Sequence, residues 1–236
     1  MKKFEFIANG DSAITVTFHE EPSELLSRKL IHLSSKIKSE FAANISDLIP
    51  AYQTLTICFK SPEFIEPELR SKLELLITLE LDTASKEQPS RRPTIEIPVC
   101  YDDEFALDMK EAELLTGLTK QAIIERHTQP EYFVNMLGFL PGFFYLSGLD
   151  RSLYMPRKTF PRTAIPVGAV GIGGSQTGVY PVASPGGWQI IGKTPLSAFS
   201  PQRSSPFLVR PLDKIKFVSI DRETFNRIQS EQQEKR

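Results

Sequence analysis

The chain has 236 residues, of which 40% are apolar and 24% charged, and its net charge is −1. This is the composition of a globular protein of one large or two small domains, and it excludes wholesale disorder. Near-neutrality also excludes a general polyanion binder, but the charge is uneven. Residues 1–131 carry 15 basic and 23 acidic side chains, whereas residues 132–222 carry 10 and 3. A local anion site is therefore expected in the basic segment, and the acidic segment is expected to face partner proteins.

Residues 1–84 carry the pattern of a small α+β domain. β-Branched runs predict strands, and apolar residues that recur every three or four positions predict amphipathic helices. Prolines at the start of the helical runs mark the first turns. The predicted order is a strand at Ala13–Phe18, a helix from Pro22, strands at Asn44–Pro50 and Tyr52–Phe59, and a helix opened by Pro62 and Pro67.

A polar stretch with two prolines, residues 85–93, predicts a linker to a second domain at residues 94–236. The first part of that domain has local helix signals. Gly117 favours a left-handed helix end, and Thr119 can cap a short helix. The predicted elements are a strand at Thr94–Val99, a helix at Asp103–Leu115 and a helix from Thr119 to His127.

Beyond Tyr132 no segment has a helical period until the polar helix predicted at Asp221–Arg236. Eleven of the 13 glycines lie between Gly138 and Gly192, where short apolar runs alternate with turns. Many short strands with frequent turn signals are typical of a barrel or sandwich. The predicted strands are Pro166–Ile172, Gly178–Val182, Trp188–Ile191, Phe207–Val209 and Ile215–Ile220.

Cysteine and histidine placement favours a structural role for both residue types. Cys58 and Cys100 lie in apolar strand-like runs, so we expect two buried reduced thiols. The three histidines lack metal-site spacing, so no metal is expected, and His127 is expected to be a structural partner rather than a general base. No apolar run reaches the length of a signal peptide or a membrane span, which predicts a cytoplasmic location.

Gly187–Thr194 fits the phosphate-loop pattern G-x-x-x-x-G-K-[ST], but its context differs. A phosphate loop needs a preceding strand, a flexible loop and a helix that begins at the lysine. Here the four positions between the glycines are strand-like, and Pro195 pushes Thr194 toward an extended conformation. We therefore expect a strand that leaves a Gly-Gly turn, with no nucleotide bound through this pattern.

Turns between Gly138 and Pro195 carry the groups that a small anionic, amide-like ligand requires. Arginine grips a carboxylate through two hydrogen bonds, and amides and hydroxyls add donors. The expected ligand-binding residues are Arg157, Arg162, Gln176, Tyr180, Ser184 and Lys193. The residues expected to line the pocket or a partner surface are Phe139, Pro141, Phe143, Tyr145, Gly174, Gly187 and Trp188, although a single aromatic residue is more often part of a core.

No catalytic constellation is visible in the same segment. It has no histidine after His127, and its acids are Asp150, Asp213 and Asp221. A Ser-His-Asp triad or a pair of catalytic carboxylates within this segment is therefore not supported. Either another protein of a complex supplies the chemistry or the chain only binds, and the catalytic residues stay unassigned.

The same segment carries four long, ordered motifs. They are NMLGFLPGFFYL at Asn135–Leu146, the Pro-Arg pairs at Pro156 and Pro161, the run Val167–Pro181, and SPGGWQIIGKTP at Ser184–Pro195. These motifs resemble the family of 5-oxoprolinase B subunits, also known as the sporulation-kinase inhibitor KipI family or allophanate hydrolase subunit 1. Gly10–Ala13 is similar to the family's opening, so the resemblance spans nearly the whole chain. Ala169 stands where the family usually has Ser. Lys193 stands where Arg is common, and lysine lacks the planar guanidinium that forms two parallel hydrogen bonds with a carboxylate.

The resemblance implies an α+β fold, with a small N-terminal α+β domain and a C-terminal cyclophilin-like β-barrel. It also implies two partners: the C subunit of 5-oxoprolinase (KipA type), which has a homologous barrel, and the A subunit. Together the three proteins would open 5-oxoproline to glutamate, coupled to ATP hydrolysis at the level of the complex. Arg157 or Arg162 would hold the carboxylate of 5-oxoproline, while Gln176 or backbone amides would meet its lactam group.

Two other functions stay open beside the role in this enzyme. An inhibitor of this family would dock on a sporulation histidine kinase, and the aromatic-rich turn Leu140–Leu146 would suit that contact. A half of a urea amidolyase-like carboxyltransferase is less favoured, because the chain carries no biotin-carrier or carboxylase segment. No nucleic-acid or membrane partner is expected.

Overall fold

The computed structural model describes residues 3–61, 67–84 and 93–234, and it divides the chain into two units, Met1–Arg91 and Arg92–Arg236. Each unit has its own hydrophobic core. The predicted linker at residues 85–93 lies outside the described residues except for Pro93, and so does the predicted helix start at Pro62. The domain limits 1–84 and 94–236 therefore stay predictions.

The first unit is a four-stranded antiparallel sheet with two helices, in the strand order β1-β2-β4-β3. The first helix begins at Glu24, two residues after the predicted start at Pro22, and Ser23 caps it by accepting a hydrogen bond from the amide of Leu26 at 3.1 Å. The first strand was not predicted; it is an edge strand with one buried side chain, so its pattern is weak. The elements are β1 Phe4–Ala8, β2 Ala13–Phe18, α1 Glu24–Glu40, β3 Ile45–Ala51, β4 Thr54–Phe59 and α2 Pro67–Ala84.

The second unit is a closed barrel of seven strands, which confirms the predicted α+β fold with a C-terminal cyclophilin-like β-barrel. Its strand order is β10-β7-β6-β13-β5-β12-β9, and β8 and β11 form a separate two-stranded ribbon. The elements are β5 Ile95–Cys100, α3 Met109–Thr116, α4 Lys120–Thr128, β6 Tyr132–Leu137, β7 Phe144–Ser147, β8 Arg162–Ile165, β9 Ala169–Gly173, β10 Gln176–Val179, β11 Ser184–Gly186, β12 Gln189–Lys193, β13 Lys214–Ile220 and α5 Arg222–Glu234.

Several predicted boundaries in this unit are wrong. The helix α3 begins at Met109 rather than Asp103, because residues 102–107 fold as turns closed by local backbone hydrogen bonds. The predicted strand Pro166–Ile172 begins only at Ala169, because residues 167–168 form a turn in which Gly168 has φ of +79°. The predicted strand Phe207–Val209 forms one bridge, from Phe207 to Phe199. The strands β6 and β7 were not predicted.

Neither cysteine forms a disulfide, and their burial differs. Cys100 is buried, as predicted, and burial raises the pKa of its thiol, whereas Cys58 is only half-buried. In the part of the chain that the structure describes, no helix is long and apolar enough to cross a membrane.

Side chains of the barrel strands alternate between two apolar clusters. Val170, Ile172 and Val179 belong to the core inside the barrel, together with residues of β5, β6, β7 and β13. Ala169 of β9 and Tyr180, which directly follows β10, belong to a second cluster on the outer face. The outer cluster contains the predicted site residues Phe143, Tyr180 and Trp188, and Tyr145 packs against it.

His127 of α4 lies fully buried in the barrel core and is stacked on Phe217, with ring centroids 4.5 Å apart. Thr177 donates its hydroxyl proton to the carbonyl of Gly171, so it accepts from Nε2–H of His127 at 3.0 Å. Nδ1 then accepts from the hydroxyl of Tyr101 at 2.8 Å. Burial lowers the pKa of His127 to about 3. A neutral, enclosed imidazole is a structural partner, as the sequence predicts.

Replacing His127 with Gln should flatten the pH dependence of stability between pH 7 and 5. The folded state keeps His127 neutral, while the unfolded state gains a proton as the pH falls below about 6.5, so the unchanged protein loses about 2 kcal/mol by pH 5. Urea unfolding followed by the fluorescence of Trp188, the single tryptophan, measures this unit. Equal slopes in His127→Gln and the unchanged protein would contradict the assignment.

Candidate functional site

A cluster of aromatic rings covers the outer face of the barrel. Phe143 is its centre, because its ring centroid lies 4.7 Å from that of Tyr145, 5.1 Å from that of Tyr180 and 5.4 Å from that of Trp188. Ile165, from the ribbon strand β8, is buried in the same cluster. Phe143, Tyr180 and Trp188 are almost fully buried, and Tyr145 is half-buried.

Trp188 lies directly on the backbone of the barrel strands because glycines leave room for its indole. A Cβ atom at Gly173 would stand 2.5 Å from the indole ring, and one at Gly178 would stand 3.2 Å from it. Contacts below 3 Å are not tolerated without movement. The absence of side chains at Gly173 and Gly178 thus creates the space that the Trp188 ring occupies.

Arg157 is exposed and lies over this cluster, with its guanidinium carbon 5.9 Å from the Trp188 ring centroid. Within the described residues it forms no ion pair. Burial raises the pKa of Tyr180 to about 12, and the positive charge of Arg157 opposes that shift. Burial also raises the pKa of Tyr145, again against the influence of Arg157. The site therefore combines two protonated phenols with a guanidinium that no acidic side chain among the described residues pairs with.

A buried carboxylate beside the cluster binds two basic residues of this segment, Lys158 and Arg162. Oδ1 of Asp108 accepts from Nζ of Lys158 at 2.9 Å and pairs with Arg162 at 2.8 Å. Oδ2 of Asp108 accepts the backbone amide of Ile190 at 2.8 Å. Asp108 is 3% exposed, so both of its oxygens are satisfied away from water. The charge of Arg162 is therefore compensated, whereas Arg157 has no ion pair in the part of the chain that the structure describes.

Glu111, one turn further along α3, completes this network. It pairs with Lys158 and accepts from Nε2 of Gln189 at 3.1 Å. The hydrogen bond from Lys158 lowers the pKa of Glu111. Burial disfavours the charged form of Lys158, but its hydrogen bonds to Glu111 and Asp108 outweigh this cost and raise the pKa of its ammonium group.

The same network fixes the segment that carries Arg157. The amide of Lys158 donates to the carbonyl of Gly187 at 2.7 Å, and Nε2 of Gln189 donates to the carbonyl of Pro156 at 3.4 Å. Both neighbours of Arg157 are thus tied to the chain that leads into β12. Gly187 and Gln189 flank Trp188 in the sequence. The same two hydrogen bonds therefore connect the backbone around Arg157 to the backbone around Trp188.

Four residues of this network, Asp108, Glu111, Lys158 and Gln189, were not predicted from the sequence. The basic segment itself has few acidic residues, and the carboxylate that pairs with Arg162 comes from Asp108, at the start of α3 in the acidic segment. Two features of the sequence could have pointed to this network. Gln189 is a polar residue at the start of an apolar strand, and Lys158 directly follows Arg157.

Lys193 lies away from Arg157, although both were predicted to bind one ligand. It follows Gln189 along β12 by four residues, or roughly 13 Å. Its Nζ lies 5.3 Å from the ring centroid of Phe105 and 5.8 Å from that of Phe225. It lines a separate cavity of about 280 Å³ beside α5.

The remaining predicted residues surround the aromatic cluster. Gln176 is half-buried at the start of β10, on the outward side that Gly178 shares. Ser184 is 7% exposed, and its hydroxyl has no hydrogen-bond partner among the described residues. Gly174 is the turn between β9 and β10, with φ of +67°. Phe139 and Pro141 are exposed in the turn before Phe143.

The Gly187–Thr194 pattern does not form a phosphate loop. Its positions 189–193 are the strand β12, paired with β9 and β5, and no helix begins at Lys193. The predicted strand at this place is confirmed. In the described ranges no group of three or more His, Cys, Asp and Glu side chains is placed to hold a metal ion.

The model of the carboxyltransferase domain, subdomain C and D, matches residues 4–209. The chain belongs to this family. The 5-oxoprolinase B subunit of Bacillus subtilis (strain 168) is 38% identical over 228 residues, which are 94% of this chain and 95% of the relative. The B subunit of Escherichia coli O157:H7 is 38% identical over 210 residues, 89% of this chain and 93% of the relative. The family resemblance found in the sequence motifs is confirmed.

A solved member of the same fold is longer than this chain. The crystal structure of TTHA0988 superposes with a TM-score of 0.74 at 32% identity. The match covers 89% of this chain but 40% of TTHA0988. TTHA0988 therefore contains a unit similar to this chain and, in the same polypeptide, a further part that is larger than that unit.

Replacing Gly173 with Ala should displace Trp188. The added methyl group would overlap the indole ring, so we expect a loss of about 1–3 kcal/mol in unfolding free energy and a shifted Trp188 emission spectrum. Gly187→Ala is the matched control, because the nearest atom to its Cβ would be 3.6 Å away, an ordinary contact. A Gly173→Ala protein with the stability and spectrum of the control would contradict this packing.

Proposed function

We propose that this chain is the B subunit of an ATP-dependent 5-oxoprolinase, which opens 5-oxoproline to L-glutamate together with the A and C subunits. The observation that carries the proposal is the near full-length similarity to two proteins named as the B subunit of 5-oxoprolinase. The chain spans 95% and 93% of their lengths, so the proposal does not depend on one shared motif. A cytoplasmic site of action is part of the same proposal.

Arg157 is the residue we assign to the carboxylate of 5-oxoproline. It is exposed, has no ion pair within the described residues, and its two neighbours in sequence are held by hydrogen bonds. A guanidinium can form two parallel hydrogen bonds with a carboxylate. Arg162 is less suited, because a ligand would have to compete with Asp108 at 2.8 Å.

The lactam group of the substrate would lie toward the aromatic cluster. Gln176 can donate its amide to the lactam oxygen and accept from the lactam N–H. Tyr145 and Tyr180 keep their protons at neutral pH because their pKa values are raised, so both retain an O–H group that can donate a hydrogen bond. These groups can orient the ring, but none is an obvious nucleophile or base.

The chemical step is therefore assigned to the assembled complex. Opening the lactam needs a water molecule to attack the ring carbonyl and a proton to reach the departing nitrogen. ATP would bind outside the Gly187–Thr194 pattern, because that segment is a paired strand. In this scheme the B subunit binds and orients the substrate, and the A and C subunits supply the remaining groups.

Replacing Arg157 with Ala should lower kcat/KM for 5-oxoproline roughly 10- to 100-fold in the reconstituted complex, since hydrogen bonds to a charged group contribute about 1.5–3 kcal/mol. The assay is oxoproline-stimulated ATP hydrolysis. Arg151→Ala is the matched control, because Arg151 is also exposed and lies outside the cluster. Arg162→Ala should mainly lower stability, since it removes a partner of the buried Asp108.

Two results would contradict this assignment. Full activity of Arg157→Ala would show that Arg157 does not hold the substrate. A complex of the unchanged chain with the A and C subunits that hydrolyses no ATP in response to 5-oxoproline would contradict the proposed function as a whole.

Carboxyl transfer is the second candidate, because the matching family is named for a carboxyltransferase domain. Such a reaction would depend on biotin, whereas lactam opening would not. The oxoproline-stimulated activity of the complex should therefore be insensitive to avidin. Inhibition by avidin would favour carboxyl transfer instead.

A further inference from the structure

Two adjoining cavities beside α5 contain Lys193, a predicted ligand-binding residue that the proposed substrate site leaves unused. The smaller cavity, of about 280 Å³, is lined by Lys193, and the larger one, of about 830 Å³, is lined by Arg203. The two cavities have lining residues in common, so together they form one groove, here called the α5 groove. The shared residues are Val167, Leu196, Ser197 and Gln232. The larger volume lies within the range of sites for small organic molecules.

Close packing fixes the backbone on one side of the α5 groove. The amide of Thr194 donates to the carbonyl of Gly168 at 2.9 Å. A Cβ atom at Gly168 would stand 2.5 Å from the carbonyl oxygen of Thr194 and 3.6 Å from Cγ of Lys193. The turn at Gly168 therefore packs directly on the chain that carries Lys193, and the backbone from which this lysine extends is held in place.

Lys193 lines this groove without an acidic partner among the residues that the structure describes. Its Nζ lies near the rings of Phe105 and Phe225, which pack on each other at a centroid distance of 4.5 Å. The guanidinium carbon of Arg222 lies 4.7 Å from the centroid of the same Phe105 ring, and Arg222 pairs with Glu104. Aromatic faces attract a cation, but they do not neutralise its charge.

Arg203 supplies a second cation, in the wall of the larger cavity. Its Nη1 donates to the backbone carbonyl of Ser197 at 3.1 Å, and its Nη2 donates to Oε1 of Gln232 at 3.0 Å. Both acceptors are neutral, so these hydrogen bonds position the guanidinium and leave its charge in place. A guanidinium has five N–H donors, so others are left for a ligand. In the described ranges Arg203 has no ion pair with a carboxylate.

The rest of the lining suits a ligand that has an apolar body and negative charge. No described acidic side chain lines either cavity, whereas Gln229 and Gln232 of α5 offer amide groups. A mostly apolar wall with a few polar groups is typical of small-molecule sites, and a cleft of one charge sign attracts ligands of the opposite sign. The apolar lining includes Val182, Leu196, Phe199 and Leu208.

We propose that the α5 groove binds a small organic dianion that carries no ammonium group, such as a dicarboxylate or a phosphate monoester. Lys193 and Arg203 would bind its two negative charges, and the apolar wall would contact its carbon body. An amino acid is disfavoured, because no described carboxylate lines the groove to pair with an ammonium group. The groove does not include Arg157, so this proposal does not depend on the proposed function.

The first test is isothermal titration of the full chain with three probes: glutarate, phenyl phosphate and L-glutamate. We expect glutarate, phenyl phosphate or both to bind, and the tighter of the two identifies the anionic group that the groove prefers. L-Glutamate, which adds an ammonium group to glutarate, should bind at least about 10-fold more weakly than glutarate or not at all, since its ammonium would lose water without gaining a partner. No binding of either dianion, or equal binding of glutarate and L-glutamate, would overturn the proposal.

The second test compares Val167→Glu with Val167→Gln, using the dianion that binds. Val167 lines both cavities and is 48% exposed, so either variant should keep the unfolding midpoint of the unchanged chain. The added carboxylate should repel the ligand and weaken binding at least about 10-fold, while the neutral amide of the same shape should not. Equal affinities of the two variants would overturn the proposal.

The third test removes one cation at a time. Lys193→Met keeps the apolar stem and should weaken binding about 10-fold, whereas Lys216→Met, at an exposed lysine outside the groove, should not. Arg157→Ala should also bind like the unchanged chain. A loss of binding in Arg157→Ala would assign the dianion to the aromatic cluster and overturn the proposal, and so would equal binding of the two lysine variants. Urea unfolding with Trp188 fluorescence reports folding, and if Lys193→Met is destabilised, the Val167 pair decides.

Discussion

The carboxylate of Asp108 connects the parts of the barrel unit that form the candidate site. One of its oxygens binds Lys158 and Arg162, and the other binds the amide of Ile190. A buried charge is tolerated only when its partners replace the water it has lost. Removing either cation would leave Asp108 undercompensated, so α3, the segment around Arg157 and the strand β12 depend on one another.

This arrangement shows that the acidic and basic parts of the sequence pair with each other within the second unit. The chain is nearly neutral as a whole, with an acidic first half and a basic segment after Tyr132. The boundary between them lies inside the second unit, which begins at Arg92. Asp108 and Glu111 of the acidic half fold back on the basic segment. Most of the positive charge around the cluster is thus compensated internally, and among the described residues the free cation over the aromatic rings is Arg157.

Local features of the fold could be predicted from the sequence, because they depend on neighbouring residues. The Thr119 cap, the left-handed Gly117 and the strand at Ala13–Phe18 are confirmed. The Asp108–Lys158 pair could not be predicted in this way, since 50 residues separate the two side chains. The parallel pairing of β13 with β5 is equally non-local.

The candidate site shows the same division. The motif residues Phe143, Tyr145, Tyr180 and Trp188 do come together, with Arg157 over them, but Lys193 lies at the other end of its strand. Composition alone pointed to Phe139 as a pocket or partner residue. Its positive φ and the close packing of Gly142 on Phe199 are features that no single sequence pattern encodes.

Our central proposal is that pairing with Asp108 leaves Arg157, rather than Arg162, free to bind the substrate. A crystal structure of the assembled complex with 5-oxoproline tests it most directly. We expect the substrate carboxylate within hydrogen-bond distance of the Arg157 guanidinium, with the Asp108–Arg162 pair intact. A carboxylate bound to Arg162, with Asp108 displaced, would contradict it.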